Sequence, residues 1–168
     1  MKQAILITAY KNYNHLQDII AFFDENFYIY IHIDKKSNIS DVELINLKKY
    51  EIVKLVSQKY KVNWGGFNHL KSILYLSAEA LRNVENKYFH LITGHDFPIK
   101  KLHYFNEYFC ENKNLEHIDY FEVPKKGWAD NGGMDRIEYL NLYDLFNAKV
   151  AKQSSLIRRV VNIQKKIE

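Results

Sequence analysis

The chain opens on Gln-Ala-Ile-Leu-Ile-Thr at Gln3 to Thr8, an apolar run without polar alternation, the pattern of a strand covered on both faces of a parallel sheet. From Asn14, placed to cap a helix, Leu16, Ile19, Ile20 and Phe23 recur at helical spacing to about Asn26. Phe27 to Ile33 carries the strongest strand pattern in the chain and stops at Asp34-Lys35-Lys36-Ser37. Ser40-Asp41-Val42-Glu43 has the form of a capping box, predicting a helix to about Tyr50, and Ile52 to Val56 predicts a third strand. A turn at Trp64-Gly65-Gly66 leads into a helix from about Asn68 to Val84, with Leu70, Ile73, Leu74, Ser77, Ala78 and Leu81 expected inward. A fourth strand at Tyr88 to Thr93 ends at Gly94-His95-Asp96-Phe97-Pro98, a helix follows near Leu102 to Cys110, and a shorter strand is expected near Ile118 to Phe121. This alternation predicts an α/β fold with a mostly parallel sheet flanked by helices. Beyond Glu122 the regularity fails, and Pro124 to Arg136 reads as a long surface loop. The expected organisation is an α/β domain over 1–122, a loop and helix over 123–147, and a basic amphipathic tail over 148–168.

Composition narrows the class. At 168 residues and 20.1 kDa the chain can bury roughly 70% of its extended surface. With 47% hydrophobic and 26% charged residues, 6 Gly and 2 Pro, it is built for a packed core rather than for disorder. The single cysteine, Cys110, excludes an internal disulfide and a cysteine metal framework, which fits a reducing compartment. No apolar run approaches the ~20 residues of a membrane helix, and Met1-Lys2-Gln3 lacks a signal-peptide shape. The net charge of +4 is concentrated: Ala148 to Glu168 holds six cations and one anion, leaving the other 147 residues at −1. A nucleic-acid binder spreads cations over its folded face, so that class is set aside.

Three polar clusters fall where the strands end, the position at which open parallel sheets bind ligands. They are Thr8-Ala9-Tyr10, His32-Ile33-Asp34 and Gly94-His95-Asp96. A carboxylate after the second strand, Asp34, suits a ribose hydroxyl or a base imide N–H; the alternative is a solvated strand-end aspartate or a helix cap. In Trp64-Gly65-Gly66 the glycines let backbone approach a ligand and the indole offers a flat face to a sugar ring or base, or else the tryptophan is a core residue before a turn. Pro98 holds Phe97 extended and so presents Asp96 on a rigid turn, for binding or for structure alone. Neither Gly-x-Gly-x-x-Gly nor a P-loop occurs, which removes dinucleotide and P-loop chemistry. The absence of Asp-x-Asp leaves a diphosphate-bridging cation without a pair of carboxylates, and the seven histidines show no metal-ligand spacing.

Asn26-Phe27-Tyr28-Ile29-Tyr30-Ile31-His32-Ile33-Asp34-Lys35-Lys36-Ser37, then Val62-Asn63-Trp64-Gly65-Gly66, then Tyr88-Phe89-His90-Leu91-Ile92-Thr93-Gly94-His95-Asp96-Phe97-Pro98-Ile99-Lys100, together resemble the core-2/I-branching enzymes. These are β-1,6-N-acetylglucosaminyltransferases of glycosyltransferase family 14, a family that also includes protein xylosyltransferases. The resemblance covers residue 3 to about residue 121 well and Trp128 to Arg136 more loosely. It implies a glycosyltransferase-A-like fold and inverting, metal-independent transfer of a sugar from a UDP-sugar to a glycan hydroxyl, with no cofactor. Carried over by position, Asp34 would hold the uridine, and Thr8, Ala9, Tyr10 and His32 would line the nucleotide pocket. Lys61, Trp64, Gly65 and Gly66 would close over it, Asp96 would sit beside the donor sugar, and Trp128, Asn131 and Arg136 would lie on the acceptor side. The family's catalytic glutamate and diphosphate-neutralising cations follow a Gly-Ser-x-Trp-like segment that is not found before Glu168. The resemblance therefore implies a base beyond Glu168 and a chain, either a fragment of a longer enzyme or a natural truncation, that binds donor at best; Glu122 and Glu138 are bases without a supporting motif. The alternative is a non-catalytic nucleotide- or glycan-binding module.

In the tail, Leu156, Ile157, Val160, Val161 and Ile167 form a stripe at helical spacing beside Arg158, Arg159, Lys165 and Lys166. Such a helix docks on a core or lies on an anionic membrane. The expected partners are a UDP-sugar donor, a glycan or glycolipid acceptor and, through 155–167, a peripheral membrane surface, with no nucleic acid; the expected location is cytoplasmic, at or near the inner face of the membrane.

Overall fold

The computed structural model describes residues 2–128, 131–140, 143–145 and 165–166. The chain divides into two compact units, one of Met1–Val62 with Leu70–Asn114 and one of Asn63–His69 with Leu115–Glu168.

The first unit is an all-parallel sheet. Strands β1 (Lys2–Ala9), β2 (Phe27–Ile33), β3 (Val53–Ser57) and β4 (Asn86–Thr93) lie in the order β3-β2-β1-β4 and alternate with helices α1 (Tyr13–Phe22), α2 (Asp41–Lys48), α3 (Phe67–Leu81) and α4 (Leu102–Glu111). The unbroken apolar runs of β1 and β2 are explained by their central place, since both faces are covered. One face puts Ile5, Ile7, Ile29, Ile31 and Ile33 against Leu16, Ile19, Ile20 and Leu47 of α1 and α2. The other puts Ala4, Leu6 and Tyr30 against Leu76 and Ala80 of α3. The mostly parallel α/β sheet expected from the sequence is therefore present.

Several local expectations change. The residue before α1 is Asn12, in the left-handed region at φ 57°, with no side-chain capping bond; Asn14 lies inside the helix. The helix stops at Phe22 rather than near Asn26 because Asp24 accepts the Asn26 N–H and folds the chain into β2. The Ser40 box forms as predicted, the hydroxyl taking the Glu43 N–H and the Glu43 carboxylate taking the Ser40 N–H. The inward face of α3 is Ser72, Leu76 and Ala80, while Leu70, Leu74, Ala78 and Leu81 are exposed. Leu76 and Ala80 pack on Ala4, Leu6 and Tyr30 of the sheet.

In the second unit the strand expected at Ile118 to Phe121 does not form: Leu115 to Val123 is exposed, and Ile118 to Phe121 belongs to no ladder among the described residues. A strand needs a partner as well as a composition. The predicted loop contains a one-turn helix α5 (Asp135–Glu138), followed by β5 (Tyr139–Leu140), which pairs antiparallel with β6 (Lys165–Lys166). Lys165 and Lys166 are thus in a ladder, not in the expected helix; the stripe Leu156, Ile157, Val160, Val161 and Ile167 lies outside the described residues.

Candidate functional site

The strand order reverses at β1, whose neighbours are β2 on one side and β4 on the other, so the crevice between the carboxyl ends of β1 and β4 is a topological switch point. The loops leaving these two strands are tied together there. Gly94 donates its N–H to the Thr8 carbonyl at 2.8 Å, and a Cβ on Gly94 would lie 2.8 Å from the Ala9 methyl, so this position requires glycine for space. Above this contact the Tyr10 ring stacks on His95 with centroids 5.2 Å apart and planes at 21°. Asp96 closes its own turn, its Oδ2 accepting the Thr93 N–H at 2.6 Å. Thr8, Ala9, Tyr10 and Asp96 therefore gather at one end of the sheet, joined by His95, which the residue-by-residue expectation left out. His95 directly precedes Asp96, and that adjacency was its one sequence signal.

Beside them, the exit of β2 clamps the segment after β3. Asp34 donates its N–H to Ala9 O at 2.8 Å, which extends the β1–β2 ladder by one residue. Its carboxylate oxygen Oδ1 accepts the N–H groups of Lys36 and Val62, each at 3.0 Å, and Oδ2 lies 3.6 Å from Lys36 Nζ. His32, 1% exposed, accepts the Tyr60 N–H on Nε2 at 3.0 Å and packs its ring against Tyr60. Lys35 donates its N–H to Tyr60 O at 2.9 Å. His32 and Asp34 thus hold the chain at Tyr60 and Val62, with the exposed Lys61 between them. His32 acts from inside the protein, whereas the Asp34 side chain is 14% exposed.

The second unit carries the Trp64 turn. Trp64 is 70% exposed, while Asn63 before it is 4% exposed and donates through Nδ2 to the carbonyls of Tyr143 and Asp144, both at 3.0 Å. The two glycines answer different demands. Gly65 has φ +77°, the left-handed region. Gly66 is required for space, because its Cβ would lie 2.3 Å from Asp144 Oδ1. The glycines expected to admit a ligand admit the Tyr143-Asp144 segment instead, and the indole is left on the surface. Asp144 was missed from the sequence because it stands about 80 positions from the residues it binds.

The remaining expected residues form an aromatic and cationic knot. Phe121 meets Trp128 edge to face at 5.2 Å, and the Arg136 guanidinium stacks 5.1 Å from the Trp128 ring. Gly133, at φ +90°, lies under the indole, where a Cβ would come within 2.2 Å of Trp128 Cζ3. Asn131 is exposed, as are Glu122 and Arg136, and Glu138 ends α5.

A hollow of about 430 Å³ opens between the end of α3 and β3, lined by Tyr30, Lys54 and Arg82 among others. It sits toward the amino ends of the strands, at the opposite end from Tyr10, Asp34 and Asp96. A family model for the Core-2/I-branching enzymes matches residues 4–162. No curated protein matches the chain significantly.

Proposed function

Since the chain belongs to the Core-2/I-branching enzyme family, whose members are glycosyltransferases that take a nucleotide-sugar donor and a glycan acceptor, we propose that it binds a UDP-sugar, N-acetylglucosamine being the sugar, for inverting, metal-independent transfer to a glycan hydroxyl. The observation that carries this reading is the Asp34 carboxylate at the exit of β2, fixed through Oδ1 by two backbone N–H groups and paired through Oδ2 with Lys36 Nζ at 3.6 Å. A carboxylate held by two backbone N–H groups needs no reorganisation to accept a third hydrogen bond, here from the uracil imide or a ribose hydroxyl. The half-exposed Tyr10 ring, stacked on His95, offers a flat face to the base, and Asp96 lies on the same end of the sheet to receive sugar hydroxyls. Within the second unit, the exposed Trp64 indole and the Trp128 ring stacked by Arg136 are flat faces of the kind that suit pyranose rings. Attack by the acceptor hydroxyl requires a base to take its proton and positive charge on the departing diphosphate. No residue of this chain is assigned either role.

Calorimetric titration with UDP in the presence of a chelator tests the proposal. Saturable binding, weakened at least tenfold by Asp34→Ala, supports it; heat of binding that appears only with added divalent metal refutes the metal-free reading, and none under either condition refutes the donor site. Release of UDP from UDP-N-acetylglucosamine in the presence of acceptor glycans then separates a transferase from a binding module.

A further inference from the structure

The near-neutral body of the chain conceals a polarity within the first unit. The loops leaving the carboxyl ends of its strands hold one lysine after β1 and two after each of β2, β3 and β4, against the acids Asp34 and Asp96. The loops at the amino ends hold two cations, Lys49 and Arg82, against four carboxylates. Asp41 and Glu43, which follow the β2 loop, lie in the first turn of α2, where the Glu43 carboxylate is taken up by Ser40. A field of this sign gathers anions at the carboxyl ends. Yet the acceptor proposed for the nucleoside there is itself a carboxylate, and a diphosphate brought beside an unopposed Asp34 would be repelled.

Lys36 answers that repulsion. Its backbone N–H bonds to Asp34 Oδ1 at 3.0 Å, and its neighbour Ser37 donates its N–H to Asp34 O and its hydroxyl to Tyr10 O, both at 2.8 Å. The turn is thereby pinned to Asp34 and Tyr10, the two residues on which the nucleoside reading rests. The Lys36 ammonium stands 3.6 Å from Asp34 Oδ2, with 34% of the side chain exposed. That ion pair is longer than the ~2.7–2.9 Å of a charge-assisted hydrogen bond, so the flexible stem can redirect its charge without moving the backbone.

We infer that Lys36 exchanges partners when the donor binds: its ammonium offsets the Asp34 charge in the free protein and turns to the diphosphate in the complex, as Oδ2 takes the nucleoside hydrogen bond. The inference rests on the proposed donor reading and adds to it a cation for the bound diphosphate. Its consequence is a difference between two ligands. Uridine brings no charge for Lys36 to meet, whereas UDP brings a new anionic partner with it. Removing the ammonium therefore costs UDP an attraction and exposes it to Asp34, while uridine finds Oδ2 uncontested.

Calorimetric titration under chelator, with UDP directly and with uridine by displacement of UDP, compares the unaltered protein with Lys36→Gln, Lys36→Arg and Lys87→Gln, the last altering an exposed lysine near the amino end of β4. Lys36→Gln is expected to weaken UDP about tenfold and not to weaken uridine. Lys36→Arg, which keeps the charge, holds UDP within about threefold, and Lys87→Gln leaves both ligands within about twofold. Equal losses for UDP and uridine in Lys36→Gln, or an unchanged affinity for UDP, would overturn the inference. So would a loss in Lys87→Gln as large as that in Lys36→Gln, because the effect would then belong to net charge and not to this contact. Failure of uridine to displace UDP from the unaltered protein removes the nucleoside contact on which the exchange depends. Melting followed by circular dichroism shows that each variant is folded; should Lys36→Gln not fold, Lys36→Ala serves in the same comparison. UDP binding that Asp34→Ala weakens and Lys36→Gln spares leaves the donor site standing and removes this inference alone, whereas no binding of UDP to the unaltered protein removes both.

Discussion

Asp34 has two separable tasks, and two substitutions distinguish them. Its side chain is 14% exposed, and Oδ1 accepts the N–H groups of Lys36 and Val62 at 3.0 Å each. The Lys36 N–H lies in an exposed turn where water can replace the carboxylate, so its loss costs little. Val62 is half-buried, and a bond to a charged acceptor there contributes about 1.5–3 kcal/mol. Asp34→Ala should therefore destabilise the first unit by roughly 2–3 kcal/mol, a fall of roughly 4–12 °C in melting temperature for a chain of this size. Asp34→Asn retains an acceptor at the position of Oδ1 and should stay within about 1 kcal/mol of the unaltered protein. Nucleotide affinity behaves differently, because the charge on Oδ2 is lost in both variants, and each should bind UDP about tenfold more weakly. Thermal melts followed by far-UV circular dichroism, paired with UDP titrations, give the two readouts. Equal melting temperatures for Asp34→Ala and the unaltered protein would refute the structural task. An asparagine variant that binds UDP normally would refute the charge-based one.

Gly94→Ala drives a methyl to 2.8 Å from the Ala9 side chain, so β1 and β4 must part; a loss of about 1–3 kcal/mol in urea unfolding is expected, and a change below about 0.5 kcal/mol would show that the strands yield freely. Ser40→Ala removes the α2 cap and should cost about 1 kcal/mol by the same measurement. The backbone N–H of Ser40, and then its hydroxyl, hold the Glu43 carboxyl below its ordinary value, so its stabilising effect is present above that ordinary value and disappears as pH falls through the lowered one. Glu43→Gln should consequently melt below the unaltered protein at neutral pH and alongside it in strongly acidic buffer; a gap that persists in acid would contradict the assignment. Gly133→Ala places a methyl where the Trp128 indole lies, and loss of the Trp128 near-UV signal, with the first unit's melting unchanged, is the expected result.

The order of strands and helices through α4 is legible in the sequence because burial leaves a local trace. A central parallel strand such as Phe27–Ile33 is aliphatic or aromatic at every position but His32, and a box such as Ser40 to Glu43 closes within one turn of chain. The candidate carboxylates Asp34 and Asp96 are legible for the same reason, since they follow strands whose ends are marked. What each residue touches is another matter. The helix α3 carries apolar side chains on more than one face, and only the sheet beneath it selects Ser72, Leu76 and Ala80 over Leu70, Leu74 and Leu81. Ile118 to Phe121 has the composition of a strand, yet strand structure is a property of a pair. The glycines after Trp64 announce a close approach without naming the visitor, which proves to be Asp144. Periodicity and caps act over a few residues and are written in the order of the chain; the clamp of His32 and Asp34 on Tyr60 and Val62, and the grip of Asp144 on Asn68, join residues far apart in that order, and folding alone brings them within hydrogen-bond reach.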